Sequence, residues 1–218
     1  MPFTNRADAG RRLAQRLLHL RGGDNVVLGL PRGGVPVAFE VAAALEAPLD
    51  VIIVRKLGVP SQRELAMGAI GEGGVRIINN EVVHAARVTD AELANVTARE
   101  EVELDRRVHR FRGDRPRVAL AGKTAIIIDD GIATGSTARA ACQVARLQGA
   151  EHVILAVPVA PPGALAELGD VADDMVALET PSALIAIGQW YADFAQTPDE
   201  TVVDLIEQAA DRHGYQPD

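Results

Sequence analysis

Two adjacent aspartates, Asp129 and Asp130, directly follow the apolar run 124–128. After them comes a short glycine-containing loop at 131–135, and a helical pattern begins near Ser136. A loop of small residues that leads into a helix presents backbone N–H groups and the positive end of the helix dipole to a phosphate. Two carboxylates at the same place can accept hydrogen bonds from sugar hydroxyls, or face a hydrated Mg²⁺ that takes other ligands from phosphate oxygens. The segment therefore predicts a site for a sugar phosphate with magnesium.

The loop and the start of the helix also offer hydroxyl donors. An aspartate pair alone is compatible with a simple turn, in which one carboxylate caps backbone donors before a helix. A strand, a double acid, a glycine loop, hydroxyls and a helix occurring together favour the ligand site instead. The loop and helix residues predicted to bind the sugar phosphate are Gly131, Ala133, Thr134, Gly135, Ser136 and Thr137, of which 134–137 hold its phosphate.

Two other segments offer groups that bind anions. The loop 31–34 follows the first apolar run, and its glycines allow close backbone approach while its arginine can meet an anion. The next apolar run, 51–54, is followed by two cations. Each segment alone is compatible with an ordinary turn or a solvated surface, but together they predict one anion site. Its residues are Arg32, Gly33, Gly34, Arg55 and Lys56.

The elements that must position these groups are visible as a repeating pattern. Strand-like runs of nearly uninterrupted apolar residues suit strands that are covered on both faces. Their alternation with helical patterns predicts an α/β fold with a mostly parallel sheet, whose ligands bind at the carboxyl ends of the strands. The runs are 26–30, 51–54, 124–128, 153–157 and 175–178, and the helical patterns are 6–20, 35–46, 136–148 and 201–210.

A long, highly charged helix is predicted at 89–112. Thr89 and Glu92 have the T-x-x-E spacing of a capping box at its start. Its narrow apolar stripe fits a solvated crossover helix along one edge of the domain, or else a subunit contact or a lid.

Composition limits the possible function classes. The chain has 22 Lys and Arg against 30 Asp and Glu, a net charge of −8, which argues against a nucleic-acid binder. A single cysteine, Cys142, fits a reducing compartment, and no signal peptide or membrane segment is recognised. We therefore expect a cytoplasmic protein that does not associate with a membrane. The five histidines, His213 among them, show no zinc-ligand spacing.

The segment 126–137 resembles the 5-phosphoribosyl-1-pyrophosphate (PRPP) binding motif of type I phosphoribosyltransferases. The resemblance extends over most of 24–194. It implies one domain over 1–218, with a core at about 24–180, a charged helical insertion at about 80–113 and a small C-terminal hood at about 181–218. Family precedent, with the long charged helix, also favours a homodimer.

The resemblance assigns roles to the site residues. Asp129 and Asp130 would hold the ribose hydroxyls, directly or through the water shell of Mg²⁺, while the phosphate loop holds the 5-phosphate and loop 31–34 binds pyrophosphate. The family's mobile catalytic loop follows the second strand, which implies a flexible loop between Gly58 and the hairpin-like region 69–78. Arg63 and Glu64 are its candidate reactive side chains.

One position separates branches of the family. The 6-oxopurine enzymes carry an aspartate where this chain has Ala133, which counts against that branch. Residues 55–58 and Glu72 resemble adenine phosphoribosyltransferases, which use a glutamate near the reacting centre. Glu72 therefore joins Asp130 and Lys56 as a catalytic candidate, although an exposed turn carboxylate is the favoured interpretation of Glu72.

Three of the chain's seven aromatic residues lie close together near the C-terminus: Trp190, Tyr191 and Phe194. Aromatic faces stack on planar ligands, which predicts that Trp190 or Tyr191 contacts the acceptor. A small satellite core is the alternative.

The expected reaction is Mg²⁺-dependent transfer of a phosphoribosyl group from PRPP to a small nitrogenous acceptor, with release of pyrophosphate. A nucleobase acceptor would place the protein in nucleotide metabolism such as purine salvage. The alternatives are a catalytically weak PRPP-binding regulatory protein and an enzyme that acts on another phosphosugar.

Overall fold

A computed structural model describes residues 3–212. The helices are α1 (Arg6–Leu17), α2 (Gly34–Leu45), α3 (Asn80–Ala85), α4 (Asp90–Arg112), α5 (Ser136–Leu147), α6 (Pro162–Leu168) and α7 (Asp199–Arg212). The strands are β1 (Asn25–Gly29), β2 (Leu49–Val51), β3 (Val54–Val59), β4 (Gln62–Gly71), β5 (Val75–Ile78), β6 (Thr124–Ile128), β7 (His152–Val159) and β8 (Asp174–Glu179).

The central sheet has five strands in the order β2-β1-β6-β7-β8, and every pairing is parallel. Strand β6 lies in the middle, so that Ile126 pairs with Val27 on one side and Ile154 on the other. This confirms the predicted α/β fold with a mostly parallel sheet. The carboxyl end of β6 consequently opens at the centre of one sheet edge.

Both faces of the sheet are covered, as the uninterrupted apolar runs predict. In β6, Ile126 and Ile128 pack into the core shared with α1, α2 and α7, whereas Ala125 and Ile127 pack into the core shared with α5 and α6. All four side chains are fully buried. Burial of apolar surface on two faces fixes the position of β6 and of the residues that follow it.

The predicted bounds of the second strand, 51–54, are wrong because the run includes a change from one sheet to another. Strand β2 ends at Val51, and after Ile52 and Ile53 the chain enters β3, which belongs to a separate antiparallel sheet of order β3-β4-β5. Ile52 and Ile53 are both buried, so apolar character alone does not reveal where the chain changes sheets. The region after Gly58 is a β3–β4 hairpin.

Helix α4 begins as predicted. The Thr89 backbone N–H donates to Glu92 Oε2 at 2.9 Å, and the Glu92 N–H donates to Thr89 Oγ1 at 3.2 Å, which completes the capping box. The buried stripe of α4, which includes Leu104 and Phe111, packs against β3, β4 and α7. The structure thus places α4 along the edge of the domain.

None of the helices within residues 3–212 has an apolar stretch that could span a lipid bilayer.

The predicted hood is divided between two places. Phe3 forms a parallel bridge with Tyr191, and the two side chains share a small apolar cluster with Ala9. Helix α7 instead contributes Val202, Ile206 and Ala209 to the main core. The N-terminal segment and the stretch around Tyr191 therefore cover the sheet edge together; 213–218 of the predicted hood, with His213, lie outside the described residues.

A buried ion network ties α4 to the edge of the sheet. Arg112 donates to Asp50 Oδ1 at 2.9 Å, to the Val51 carbonyl at 3.0 Å and to the Glu72 carboxylate. The Arg112 and Asp50 side chains are each 4% exposed. Such a triad holds three segments in register because removal of the cation leaves buried carboxylates uncompensated.

We expect Arg112→Met to destabilise the protein by about 3–5 kcal/mol, the cost of breaking a buried ion pair. Urea unfolding measures the change. Arg106→Met is the matched control, since Arg106 pairs with Glu103 on the exposed side of the same helix, and we expect little change there. Equal stability of the two variants would contradict a structural role for the triad.

Candidate functional site

The double acid and the phosphate loop meet at the carboxyl end of β6. The loop is anchored because the Ile132 N–H donates to the Val159 carbonyl at 2.9 Å and the Ile132 side chain is buried. Gly135 has a φ of +77°, a left-handed conformation that glycine adopts without strain, immediately before α5 begins. The hydroxyls of Thr134 and Ser136 lie 3.5 Å apart on the exposed side. Helix α5 begins without a side-chain cap, so its first N–H groups remain available to an anion.

The loop 31–34 packs directly against the double acid. A Cβ atom on Gly34 would lie 2.5 Å from the Ile128 carbonyl oxygen, and one on Gly33 would collide with the Asp130 carboxylate. The Pro31–Arg32 peptide bond is cis. Glycine at both positions is what allows two of the predicted binding segments to come together.

The two aspartates are held in a partly buried, charged environment. Asp129 Oδ1 accepts from the Asp130 N–H at 2.9 Å. Burial and the neighbouring Asp130 charge raise the pKa of Asp129 well above its ordinary value. Burial also raises the pKa of Asp130, but the Arg6 guanidinium beside it opposes that shift. The Arg6 guanidinium therefore favours the ionised form of Asp130 more than that of Asp129.

Arg6 is a site residue that sequence reasoning missed. Its Nε donates to Asp130 Oδ2 at 2.7 Å, and the two side chains are 12% and 13% exposed. Its Nη1 donates to the Ala195 carbonyl at 2.7 Å, and the guanidinium lies 4.0 Å from the centre of the Phe194 ring. Arg6 thus connects α1, the double acid and the segment beyond Tyr191. Its one signal in the sequence is a cation in the first turn of a helix, where the helix dipole disfavours positive charge.

The predicted pyrophosphate-binding cations converge only in part. Arg55 and Lys56 line a cavity of about 290 Å³ together with Pro31, Ser136 and Thr137, although they lie on β3 and not at the end of a central strand. Arg107 of α4, which was not predicted, lines the same cavity. The cavity therefore joins the two loops to a cationic wall.

Each of the predicted cations has a carboxylate partner from another part of the chain. Arg32 pairs with Asp199 at 3.3 Å, Arg55 with Glu100 at 2.6 Å, and Lys56 with Glu64 at 3.4 Å. An anionic ligand would have to compete with these carboxylates. Glu64 lies on β4 and is exposed, as is its neighbour Arg63.

Glu72 lies away from the double acid. Its carboxylate pairs with Arg112 and is 11% exposed, and its carbonyl accepts from Gln148 Nε2 at 3.0 Å. Gln148 directly follows the last residue of α5, whereas Ser136 begins the helix, which is about 18 Å long. The structure therefore does not bring Glu72 to the other site residues, and the glutamate is neither exposed nor free.

The aromatic cluster is largely a packing unit. Tyr191 is 3% exposed, its ring lies 4.9 Å from that of Phe194, and its hydroxyl donates to the Asp130 carbonyl at 2.6 Å. Tyr191 thus supports the backbone of the double acid. Trp190 is partly exposed, and its carbonyl accepts from the Phe3 N–H at 3.1 Å.

Asp129 and Asp130 could hold a magnesium ion only if molecules other than the protein supplied most of its ligands. Among residues 3–212, no three His, Cys, Asp or Glu side chains are grouped so that they could hold a metal. Asp129 and Asp130 supply hard carboxylate oxygens, and Mg²⁺ commonly takes one or two carboxylates while water and substrate phosphates complete its shell.

A parallel sheet flanked by helices, with an acidic pair and a glycine loop at its carboxyl edge, is the architecture of type I phosphoribosyltransferases. Residues 3–188 match the family model described as a phosphoribosyl transferase domain. The chain belongs to this family, which confirms the resemblance inferred from 126–137.

Relatives and a solved structure agree with this assignment. A Mycobacterium tuberculosis protein, provisionally named a phosphoribosyl transferase, is 56% identical over 207 residues, which are 95% of this chain and 47% of that protein. The chain thus spans about half the length of the curated relatives it matches. An adenine phosphoribosyltransferase of Kineococcus radiotolerans is 47% identical over 62 residues, 28% of this chain and 32% of that protein. A crystal structure of a Thermus thermophilus protein has a TM-score of 0.86 and 41% identity, and the match covers 95% of this chain and 99% of that one.

We expect Asp129→Asn to stabilise the ligand-free protein at neutral pH. A carboxyl whose folded-state pKa is raised contributes stability that is complete below the unfolded-state pKa and is lost as the pH rises through the folded-state pKa. Asparagine stays neutral, so the difference in Tm between variant and parent should grow from pH 4 to pH 8. A gain on the order of 1 kcal/mol corresponds to about 2–4 °C for a chain of this size.

Thermal unfolding followed by circular dichroism measures this difference. Asp114→Asn, at an exposed aspartate, is the control and should show no such trend. A Tm difference for Asp129→Asn that is independent of pH would contradict the assigned electrostatics.

Proposed function

We propose that this protein transfers the phosphoribosyl group of PRPP to a nitrogen nucleophile and releases pyrophosphate. The observation that carries the proposal is the packing of loop 31–34 against Asp130, beside the phosphate loop that opens α5. Two binding segments that are distant in sequence, 31–34 and 129–137, meet at one sheet edge in a chain of this family.

The double acid and the phosphate loop would hold the ribose 5-phosphate part of PRPP. Carboxylate oxygens of Asp129 and Asp130 accept hydrogen bonds from ribose hydroxyls. The 5-phosphate binds the first N–H groups of α5 and the hydroxyls of Thr134, Ser136 and Thr137, where the helix dipole favours negative charge. These contacts orient C1 of the ribose toward the acceptor.

Pyrophosphate would bind beside loop 31–34. Negative charge develops on the leaving pyrophosphate as its bond to C1 breaks, and donors already aimed at that place lower the barrier. Arg32, Lys56 and the Gly33 N–H supply the donors. Gly34, whose N–H donates to the Leu30 carbonyl at 3.0 Å, allows close approach of the backbone. Arg55 and Arg107 lie on the cavity wall. When bound, Mg²⁺ would neutralise phosphate charge next to Asp129 and Asp130.

The acceptor is proposed to be a nucleobase, with adenine the first to test. Ala133 argues against the 6-oxopurine branch, and the partial match to an adenine phosphoribosyltransferase favours a purine with an amino group. Trp190 is partly exposed and is the proposed acceptor contact, whereas the buried Tyr191 supports Asp130. A role in purine salvage, a cytoplasmic location and a homodimer stay predictions.

A PRPP-binding regulatory protein is the second candidate. It is favoured by the position of Glu72, whose ion pair with Arg112 leaves the reaction without an assigned acid or base. Under this alternative the same residues bind PRPP, and no acceptor leads to release of pyrophosphate.

We expect Asp130→Asn to weaken PRPP binding by about 10- to 100-fold, since a charge-assisted hydrogen bond contributes about 1.5–3 kcal/mol. Calorimetric titration of PRPP with Mg²⁺ measures the dissociation constant, and Asp114→Asn is the matched control. Unchanged binding by Asp130→Asn would overturn the site. Pyrophosphate release in the presence of adenine or another base supports the transferase, whereas binding without release across a panel of bases supports the regulatory alternative.

We expect Arg6→Met to shift the pH dependence of PRPP binding, so that tight binding requires a higher pH. Without the guanidinium the pKa of Asp130 rises further, so the ionised acceptor forms only at higher pH. KM for PRPP should rise by about tenfold, as expected for loss of about 1.4 kcal/mol of positioning, with a smaller change in kcat.

The pH dependence of the PRPP dissociation constant tests this role. Arg6→Lys retains the charge and should restore part of the pH profile. Arg12→Met removes an exposed cation from the same helix and is the control. An equal pH profile for Arg6→Met and the parent would show that Arg6 does not position Asp130.

A further inference from the structure

A second cavity lies away from the double acid. It has a volume of about 470 Å³ and lies between the segment 115–119, β2 and the C-terminal part of α7. This volume is within the range of small-molecule sites, about 300–1,000 Å³. It shares no lining residue with the cavity that contains Arg55 and Lys56.

One side of this cavity is basic. Arg115, Arg117 and Lys123 line it, and its single carboxylate, Asp50, is already bonded to Arg112. Within residues 3–212, neither Arg115 nor Arg117 forms a salt bridge, whereas most other cations of the chain do. The Arg115 Nε donates to the Arg112 carbonyl at 3.2 Å, which fixes the direction of its guanidinium. A concentration of positive charge in a protein of net charge −8 attracts an anion.

The other side is apolar. Leu49 and the α7 residues Ile206, Ala209 and Ala210 line it. The small alanine side chains leave room beside Ile206 for a flat group. A ligand with an anionic end and a flat apolar body would satisfy both sides, since apolar lining supplies affinity and a few charged groups fix orientation.

We propose that this cavity is a second binding site for a small organic anion, one that carries a phosphate or carboxylate on a flat apolar body. The anion contacts Arg115 and Arg117, and the body lies against α7. The site adjoins the first cavity through α4, because Phe111 lines the first cavity and the next residue, Arg112, lines the second. Its ligand is distinct from PRPP, which has no apolar body.

Titration with 8-anilinonaphthalene-1-sulfonate tests the site without reference to PRPP chemistry. We expect one probe molecule per chain with enhanced fluorescence. The double variant Arg115→Gln/Arg117→Gln should lose at least about tenfold in affinity, since it removes charge-assisted contacts. Arg16→Gln/Arg76→Gln removes the same charge from exposed positions elsewhere and should bind as the parent does. Equal losses in the two double variants would overturn the proposal.

A second variant and competitors keep the test decisive. Ala210→Phe fills the apolar side and should abolish probe binding while PRPP binding is retained. Displacement of the probe by adenosine monophosphate or by naphthoate supports the site and distinguishes a phosphate ligand from a carboxylate ligand. Displacement by PRPP with Mg²⁺, or by inorganic phosphate at the same concentration as the organic anions, would overturn it. Failure of PRPP to bind anywhere would refute the proposed function and leave this result unaffected.

Discussion

The structure is organised around two neighbouring carboxylates that are partly withdrawn from water. Like charges side by side at a desolvated position oppose their own ionisation. Arg6 offsets part of this cost at Asp130, while the Asp130 N–H stabilises Asp129. The closely packed glycines and the Tyr191 hydroxyl then hold the backbone in place. These contacts together hold the two carboxylates side by side despite their mutual repulsion.

The charges around the site are balanced internally before any ligand arrives. Arg32, Arg55 and Lys56 each have a carboxylate partner on α7, α4 or β4. An anionic ligand that bound these cations would have to displace the three carboxylates. Glu100 would still pair with Arg99, and Asp199 with Arg110. The ion pairs therefore connect the cations of the site to α4, α7 and the β3–β4 hairpin.

The sequence was informative where the chemistry is local. The β6 run, the double acid and the glycine loop are contiguous, and a strand buried on both faces must be apolar throughout. The strand, the loop and the start of the helix within 124–137 could therefore be predicted. The switch of sheets at Ile52–Ile53 was not predictable, because either sheet accepts buried isoleucine. Glu72 was predicted to be a catalytic residue or else an exposed turn carboxylate. It lies in the turn after β4, but its carboxylate is 11% exposed because it pairs with Arg112. This partner could not be identified, since it is 40 residues away among many charges of α4.

Arg6 also determines when the site can be completed. Its two hydrogen-bond partners lie 124 and 189 positions further along the chain. During synthesis from the N-terminus the arginine emerges first, yet Ala195 follows only after the last strand of the parallel sheet. Contacts between such distant residues are entropically costly and form late. A nascent chain can therefore hold a finished sheet while Arg6 still lacks its Ala195 partner, so a fully bonded Arg6 is a marker of complete folding.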